Sequence, residues 1–279
     1  MYDVLCYGAI CADHRIWLPH HPRPGEGLRV QREDYVPGGN AFLEARSLAD
    51  WNHHVVLMGD HLGDDDGGRM LQRAIGQTKI DGRYLVRNAD ARTPVCRILL
   101  TPDAERTILA FRDSATPATL PPADLLARCR IVSVTRYGPR TAEVASLARQ
   151  ANRLTVVGDA TRPDDPWAAH ADVIVTSASL LDNHQPGVER AAQLLALHQR
   201  RGATVLVTDG PRAIRALWQE AGERQSLSIT PPAITAHNPI GAGDVFRAGV
   251  VHGLLAGWFW PQIVEHACTV ATAHVGAPV

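Results

Sequence analysis

From about residue 130 onward, short β-branched runs alternate with longer stretches of helical spacing, and few folds accommodate that rhythm. Ile131-Val132-Ser133-Val134, Leu154 to Asp159, Ala171 to Val175 and Ala203 to Thr208 read as buried strands. Residues 140–151 and 187–200 read as helices between them. Parallel strands need crossovers of this length, so the pattern predicts a mainly parallel sheet with helices on both faces. Right-handed crossovers put the strand C-terminal ends on one edge, where ligands usually bind. Asp13, Gly138, Asp159 and Thr208 all follow predicted strands and fall on that edge.

The first half begins in the same way. Asp3 to Gly8 reads as a strand, Asn40 to Asp50 as a helix, His54 to Asp60 as a core strand and Arg69 to Gly76 as a helix. Two segments break the rhythm. Segment 14–36 holds the alternating runs Arg15 to Leu18 and Leu28 to Arg32, and segment 92–111 reads as a hairpin of Thr93 to Leu100 with Arg106 to Phe111. They predict a small β lid on a single α/β domain covering residues 1–279.

The strongest chemical signal is Asn238-Pro239-Ile240-Gly241-Ala242-Gly243-Asp244, followed by the apolar run Val245 to Leu255. Glycines let consecutive N–H groups point one way, and the helix start behind them adds partial positive charge. The result is an anion cradle at Gly241, Ala242 and Gly243, suited to phosphate, or else an ordinary strand-to-helix turn. Asp244 sits at its lip, where a carboxylate can take a proton from an attacking hydroxyl. Pro37-Gly38-Gly39-Asn40-Ala41 is a second glycine turn entering a helix. Asn40 either only caps that helix or also bonds a ligand hydroxyl that Gly39 lets approach. Asp13 is a solvated turn residue or, with Asn40, half of a polyol clamp.

Composition excludes other chemistries. The net charge of −1 and the absence of basic stripes argue against nucleic acid. There is no long apolar run and no charged-then-apolar leader, which predicts a cytoplasmic protein without membrane contact. Lys79 is the single lysine and lacks a glycine-rich loop, so Walker A and protein-kinase chemistry are excluded. Cys6, Cys11, Cys96, Cys129 and Cys268 are scattered with no CxxC pair and read as reduced core thiols. Neither they nor the His20-His21 and His53-His54 pairs have the spacing of metal ligands.

These motifs, in order, resemble the ribokinase-like (PfkB-type) carbohydrate kinases nearly end to end. The likeness is carried by Gly8 with Asp13, Pro24-Gly25-Glu26, Gly38-Gly39-Asn40-Ala41, Gly59 to Gly67, Glu105-Arg106-Thr107, Val207-Thr208-Asp209-Gly210 and Gly241-Ala242-Gly243-Asp244. The resemblance implies a three-layer α/β/α fold with a β lid that often serves as a dimer interface. It implies ATP-dependent phosphorylation of a sugar-like alcohol, with Mg²⁺ arriving on the ATP. Asp244 would be the base and Gly241 to Gly243 the anion hole. Asp13, Gly39 and Asn40 would hold substrate, and Thr208 and Gly210 would line the nucleotide site.

Two departures matter. Asn238-Pro239-Ile240 replaces the family's usual Asp-Thr-x, so activation by a monovalent cation is doubtful. Ser177 and Leu180 stand where the family has Asn-x-x-Glu, removing a group that helps place magnesium-bound water. Gly-Gly-Asn-Ala resembles the ketohexokinase-like branch, which also lacks Asn-x-x-Glu. Val134 to Tyr137 resembles bacterial sulfofructose kinase, where an arginine receives an anionic sugar tail. Arg136 would be that fork, or else a surface ion pair. A ketose or modified sugar is therefore favoured. The alternatives are a nucleoside kinase, with Trp17 and Phe42 as a base slot, and a catalytically weak sugar-binding regulator.

Overall fold

The computed structural model describes residues 1–103, 106–111, 119–135, 140–199 and 202–278. Arg136, Gly138 and Glu105 lie outside these residues. In chain order the elements are β1 (Tyr2–Gly8), β2 (Cys11–Trp17), β3 (Arg32–Gly38), α1 (Asn40–Asp50), β4 (Val55–Gly59), α2 (Asp66–Gly76), β5 (Val95–Leu100) and β6 (Arg106–Phe111). Then follow α3 (Ala123–Ala127), β7 (Cys129–Thr135), α4 (Thr141–Gln150), β8 (Leu154–Gly158), β9 (Val173–Ser177), α5 (Ala178–His184), α6 (Arg190–Gln199) and β10 (Thr204–Thr208). The chain closes with β11 (Ile214–Glu220), β12 (Glu223–Ile229), α7 (Ala242–Ala256) and α8 (Trp260–Gly276).

Eight strands form one sheet in the order β12-β11-β10-β9-β8-β7-β1-β4, parallel from β10 to β4. Period-two alternation sorts its side chains onto two faces. On β1, Val4 and Cys6 pack towards α1, α7 and α8, while Leu5 and Tyr7 pack towards α3 and α4. Val157, Ile174, Val205 and Val207 continue the second face under α5 and α6. Burying both faces explains why the strands are nearly continuous β-branched runs. The three-layer α/β/α arrangement is thus as expected.

The lid is a separate four-stranded sheet, β3-β2-β5-β6, with β2 and β5 parallel. Its second strand begins at Arg32 rather than at Leu28. β2 ends at Trp17, the partner of Arg32, and Pro19 beyond it cannot continue the ladder. Asp13 lies within β2 rather than in a loop, because the chain re-enters a strand at Cys11 immediately after the turn that follows β1. The antiparallel ribbon β11–β12 extends the main sheet beyond its parallel rhythm. Its turn, Ala221-Gly222, has φ of 49° and 86°, and this pair of positive φ values matches strand twist in a two-residue hairpin. No helix among the described residues is long and apolar enough to cross a membrane.

At the end of the fold remote from the strand C-termini, Trp51, His53, His252, Trp258 and His266 pack ring against ring. A ring nitrogen of His53 and one of His252 are 2.8 Å apart. Burial lowers all three histidine pKa values; His252 and Arg130 add to the effect at His53, while Asp3 opposes it. The unfolded chain therefore binds protons more readily than the native state below the ordinary histidine pKa of about 6.5. The stability this cluster contributes is present above that pH and is lost as pH falls through the lowered values. Thermal unfolding should show Tm dropping between pH 7 and pH 5, less steeply in His266→Gln.

Candidate active site

The start of α7 has the form its sequence predicts. Gly241 caps the helix with φ 78°, a left-handed conformation that strains any residue with a Cβ. The first intrahelical bond is Val245 N–H to Gly241 O at 2.9 Å. Helix geometry leaves the N–H groups of Ala242, Gly243 and Asp244 without an intrahelical acceptor, pointing out of the helix end. A Cβ at Gly243 would meet no protein atom within 4 Å, so the space before this cradle is open. The approach loop is pinned by α8. His237 and Asn238 N–H groups donate to Val275 O at 2.9 Å each, and His274 Nε2 donates to Ile240 O at 2.7 Å.

Asp244 is held by a buried charge network. Arg247 Nη2 donates to Asp244 Oδ1 at 3.2 Å and to Asn40 O at 3.3 Å, while its Nε donates to Glu44 Oε2 at 2.9 Å. Glu44 Oε1 in turn accepts from Ser133 Oγ at 2.6 Å. The Glu44 and Arg247 side chains are 0 % and 2 % exposed, whereas Asp244 keeps 17 %, so one network member reaches the open space. Gly158 makes room for the guanidinium, since a Cβ there would lie 2.7 Å from Arg247 Nη1. Burial pushes the Asp244 pKa up to about 7; Arg247 pulls it down, while the charges of Asp159 and Glu44 push it further up. A carboxylate with a pKa near neutrality is matched to general-base work.

The second wall is built from β2 and the turn into α1. The Asp13 carboxylate packs against Gly38, where a Cβ would sit 2.0 Å from Oδ2. Asp13 is 5 % exposed, and burial raises its pKa to about 6 against the opposing effects of the Cys11 thiol and Arg15. Gly39 caps α1 with φ 91°, and a Cβ there would strike Ala9 O. The Asn40 side-chain oxygen accepts from Thr135 Oγ1 at 3.1 Å, and no side-chain cap is made at this helix start. Gly38 and Arg247 therefore link Asp13, Gly39, Asn40, Gly241 and Asp244 into one continuous constellation.

Parallel register aligns the remaining residues on the same sheet edge. Gly8 pairs with Gly59, Thr135 with Gly158, and Thr208 with Ser177. Thr208 ends β10, and Gly210 follows with φ 55° and open space beside its Cα. They lie three strands from β7, so they border the constellation without joining it. Ser177 caps α5 through Leu180 N–H and bonds Ser179 Oγ at 3.2 Å. Between the lid and the loop before Gly241 lies a cleft of about 220 Å³, lined by Arg15, Trp17, Thr101, Asn238 and Ile240 among others. Trp17 borders it with guanidinium groups over its ring, Arg15 at 5.1 Å and Arg32 at 4.5 Å. Phe42 is 1 % exposed in the core of α1 and cannot form a base slot.

Sequence reasoning missed Arg247, Glu44 and Ser133. One signal was available: Arg247 stands one turn after Asp244 as the one Arg or Lys of a helix whose following residues are mostly apolar, and a fully buried arginine is almost always paired.

A family model described as pfkB family carbohydrate kinase matches residues 1–278. The chain is 23% identical to the ribokinase of Haemophilus influenzae, over 89% of this chain and 84% of that protein. It is also 23% identical to the 5-dehydro-2-deoxygluconokinase of Geobacillus thermodenitrificans, over 97% of this chain and 86% of that one. Among solved structures, Arabidopsis thaliana ribokinase complexed with ribose and ATP superposes with a TM-score of 0.83 at 18% identity, covering 99% of this chain and 93% of that one. The parallel sheet, lid and glycine cradle define a ribokinase-type fold. The chain belongs to the pfkB family of carbohydrate kinases.

Proposed function

We propose that this chain transfers the γ-phosphoryl group of ATP to a hydroxyl of a sugar, with a ketose or a modified, anionic sugar favoured. The observation that carries this reading is Asp244, a carboxylate with a pKa near neutrality at the mouth of an open helix N-terminus. In the reaction the sugar oxygen attacks the γ-phosphorus and its proton passes to the Asp244 carboxylate. The bond from γ-phosphorus to the bridging oxygen breaks, and ADP leaves with that electron pair. The N–H groups at Gly241 to Gly243 stabilise the charge on the transferred group and the leaving oxygen. Asp13, Gly39 and Asn40 orient the sugar, Thr208 and Gly210 border the nucleotide, and lid closure excludes water. The ATP held by the similar Arabidopsis ribokinase supports the choice of donor.

Mg²⁺ fits as a companion of ATP. The Ser177 hydroxyl is engaged in capping α5 and Leu180 offers no oxygen, while the Asp159 carboxylate is near enough to Asp244 for their charges to interact. That donor set suits an ion that keeps phosphate and water oxygens as most of its ligands, and Mg²⁺ does so. When bound, it would neutralise phosphate charge. The reading also includes a cytoplasmic enzyme and a homodimer through the lid. Exposed Tyr35, Ile108, Leu109 and Phe111 on the lid support the latter. A nucleoside acceptor is disfavoured by the burial of Phe42 and the guanidinium groups over Trp17. A purely regulatory role is disfavoured by the intact base and cradle.

ADP release should be measured over a panel of ketoses, aldoses, anionic sugars and nucleosides. Turnover is expected with a sugar. Turnover with nucleosides alone, or with nothing above background, contradicts the reading.

A further inference from the structure

Cys11 and Asp13 alternate along β2 and therefore share one face of the lid sheet. The parallel register of β2 with β5 sets Cys96 directly beside Asp13. Cys11 Sγ stands 3.5 Å from Cys96 Sγ and 3.2 Å from Asp13 Oδ1, and the ligand atoms of all three residues lie within 4.8 Å of one another. Two sulfurs bound to one tetrahedral zinc ion stand about 3.8 Å apart, and a sulfur and a carboxylate oxygen about 3.6 Å, given bonds of about 2.3 and 2.1 Å. Both distances from Cys11 Sγ are thus within about 0.4 Å of zinc-ligand spacing, a difference that side-chain rotation can supply. Cys11 and Asp13 are 2 % and 5 % exposed, while Cys96 is only half-buried and provides the way in.

We propose that Cys11, Asp13 and Cys96 form a three-ligand site for a thiophilic divalent cation, Zn²⁺ or Cd²⁺, on strands β2 and β5 of the lid sheet, beside Gly38. Two thiolates and one carboxylate select such ions over Mg²⁺, which takes oxygen ligands. Binding exchanges two S–H bonds for two metal–sulfur bonds and releases two protons to solvent. Three protein donors leave the fourth tetrahedral position for water. All three ligands lie on adjacent strands of one sheet, so the site survives movement of the lid as a body. Occupancy engages the carboxylate assigned above to the sugar, so the ion and the sugar compete. The metal site itself stands apart from the kinase reading; only this competition rests on it.

Titrating the reduced protein with Cd²⁺ should produce thiolate-to-metal charge-transfer absorbance that saturates at one ion per chain. Cys96→Ser should weaken binding more than about 100-fold, beyond the loss expected from an outer-shell partner. Cys268→Ser should leave binding unchanged. Zn²⁺ should displace Cd²⁺ and quench its absorbance. Absence of the band, or a band that survives Cys96→Ser, overturns the site. If the band behaves as expected and Zn²⁺ inhibition is competitive with the sugar, both the site and the role of Asp13 stand. If the band is present and sugar does not weaken metal binding, the site stands and the sugar assignment for Asp13 fails.

Discussion

Asp244→Asn should lower kcat by about 10³-fold, within the range of 10² to 10⁴ typical for removing a general base. The amide keeps the shape of the carboxylate and can still accept from Arg247 through its oxygen, but it cannot take the sugar proton. KM for ATP should change little, because the anion cradle is backbone. Unfolding would not explain the loss. Burial raises the Asp244 pKa in the folded state, so the cost of ionising it appears as pH rises from the ordinary carboxylate value to about 7. The amide avoids that cost, and the variant's Tm at pH 8 should not fall. Parallel measurement of ADP release and thermal unfolding separates the two effects.

Arg247→Met should be the most destabilising single change near the site. It leaves Glu44 fully buried with Ser133 as its side-chain partner, and breaking a buried ion pair in this way costs about 3 to 5 kcal/mol. For a chain of this size Tm should drop by about 10 °C. Replacing both charges with apolar groups is often neutral, so Arg247→Met with Glu44→Leu should recover most of that Tm. Activity should not recover with it. Without its guanidinium neighbour Asp244 becomes harder to ionise, and the link from Asn40 to Asp244 is gone. Calorimetry and kinetics on the two variants would expose this split between stability and turnover.

The contrast between these predictions tracks what the chain discloses before folding. The parallel sheet was legible because strands buried on both faces must be β-branched throughout, as Val156, Val157, Val173 and Ile174 are. The two glycine turns into helices were legible because Gly39 and Gly241 take positive φ, which few other residues adopt without strain. Arg247 and Glu44 were not, since their pairing spans 203 positions and depends on how α1 packs against α7. Nor was the meeting of Cys11 with Cys96, which depends on the register of β5 along β2. The hairpin β11–β12 escaped because its turn places a non-glycine residue, Ala221, at positive φ. The placement of Asp13 inside a strand follows from pairings with β3 and β5 that no local pattern reports.

The pH dependence of kcat/KM tests the role of Asp244 most directly, because it reports groups in the free enzyme. A base with a pKa near 7 must be ionised to act, so its working fraction falls as pH drops below that value. The profile should decline on the acid side with a midpoint near 7 and unit slope. It should steepen once Asp13, with a pKa near 6, also takes a proton. A profile that stays level from pH 8 to pH 5 would contradict Asp244 as the base.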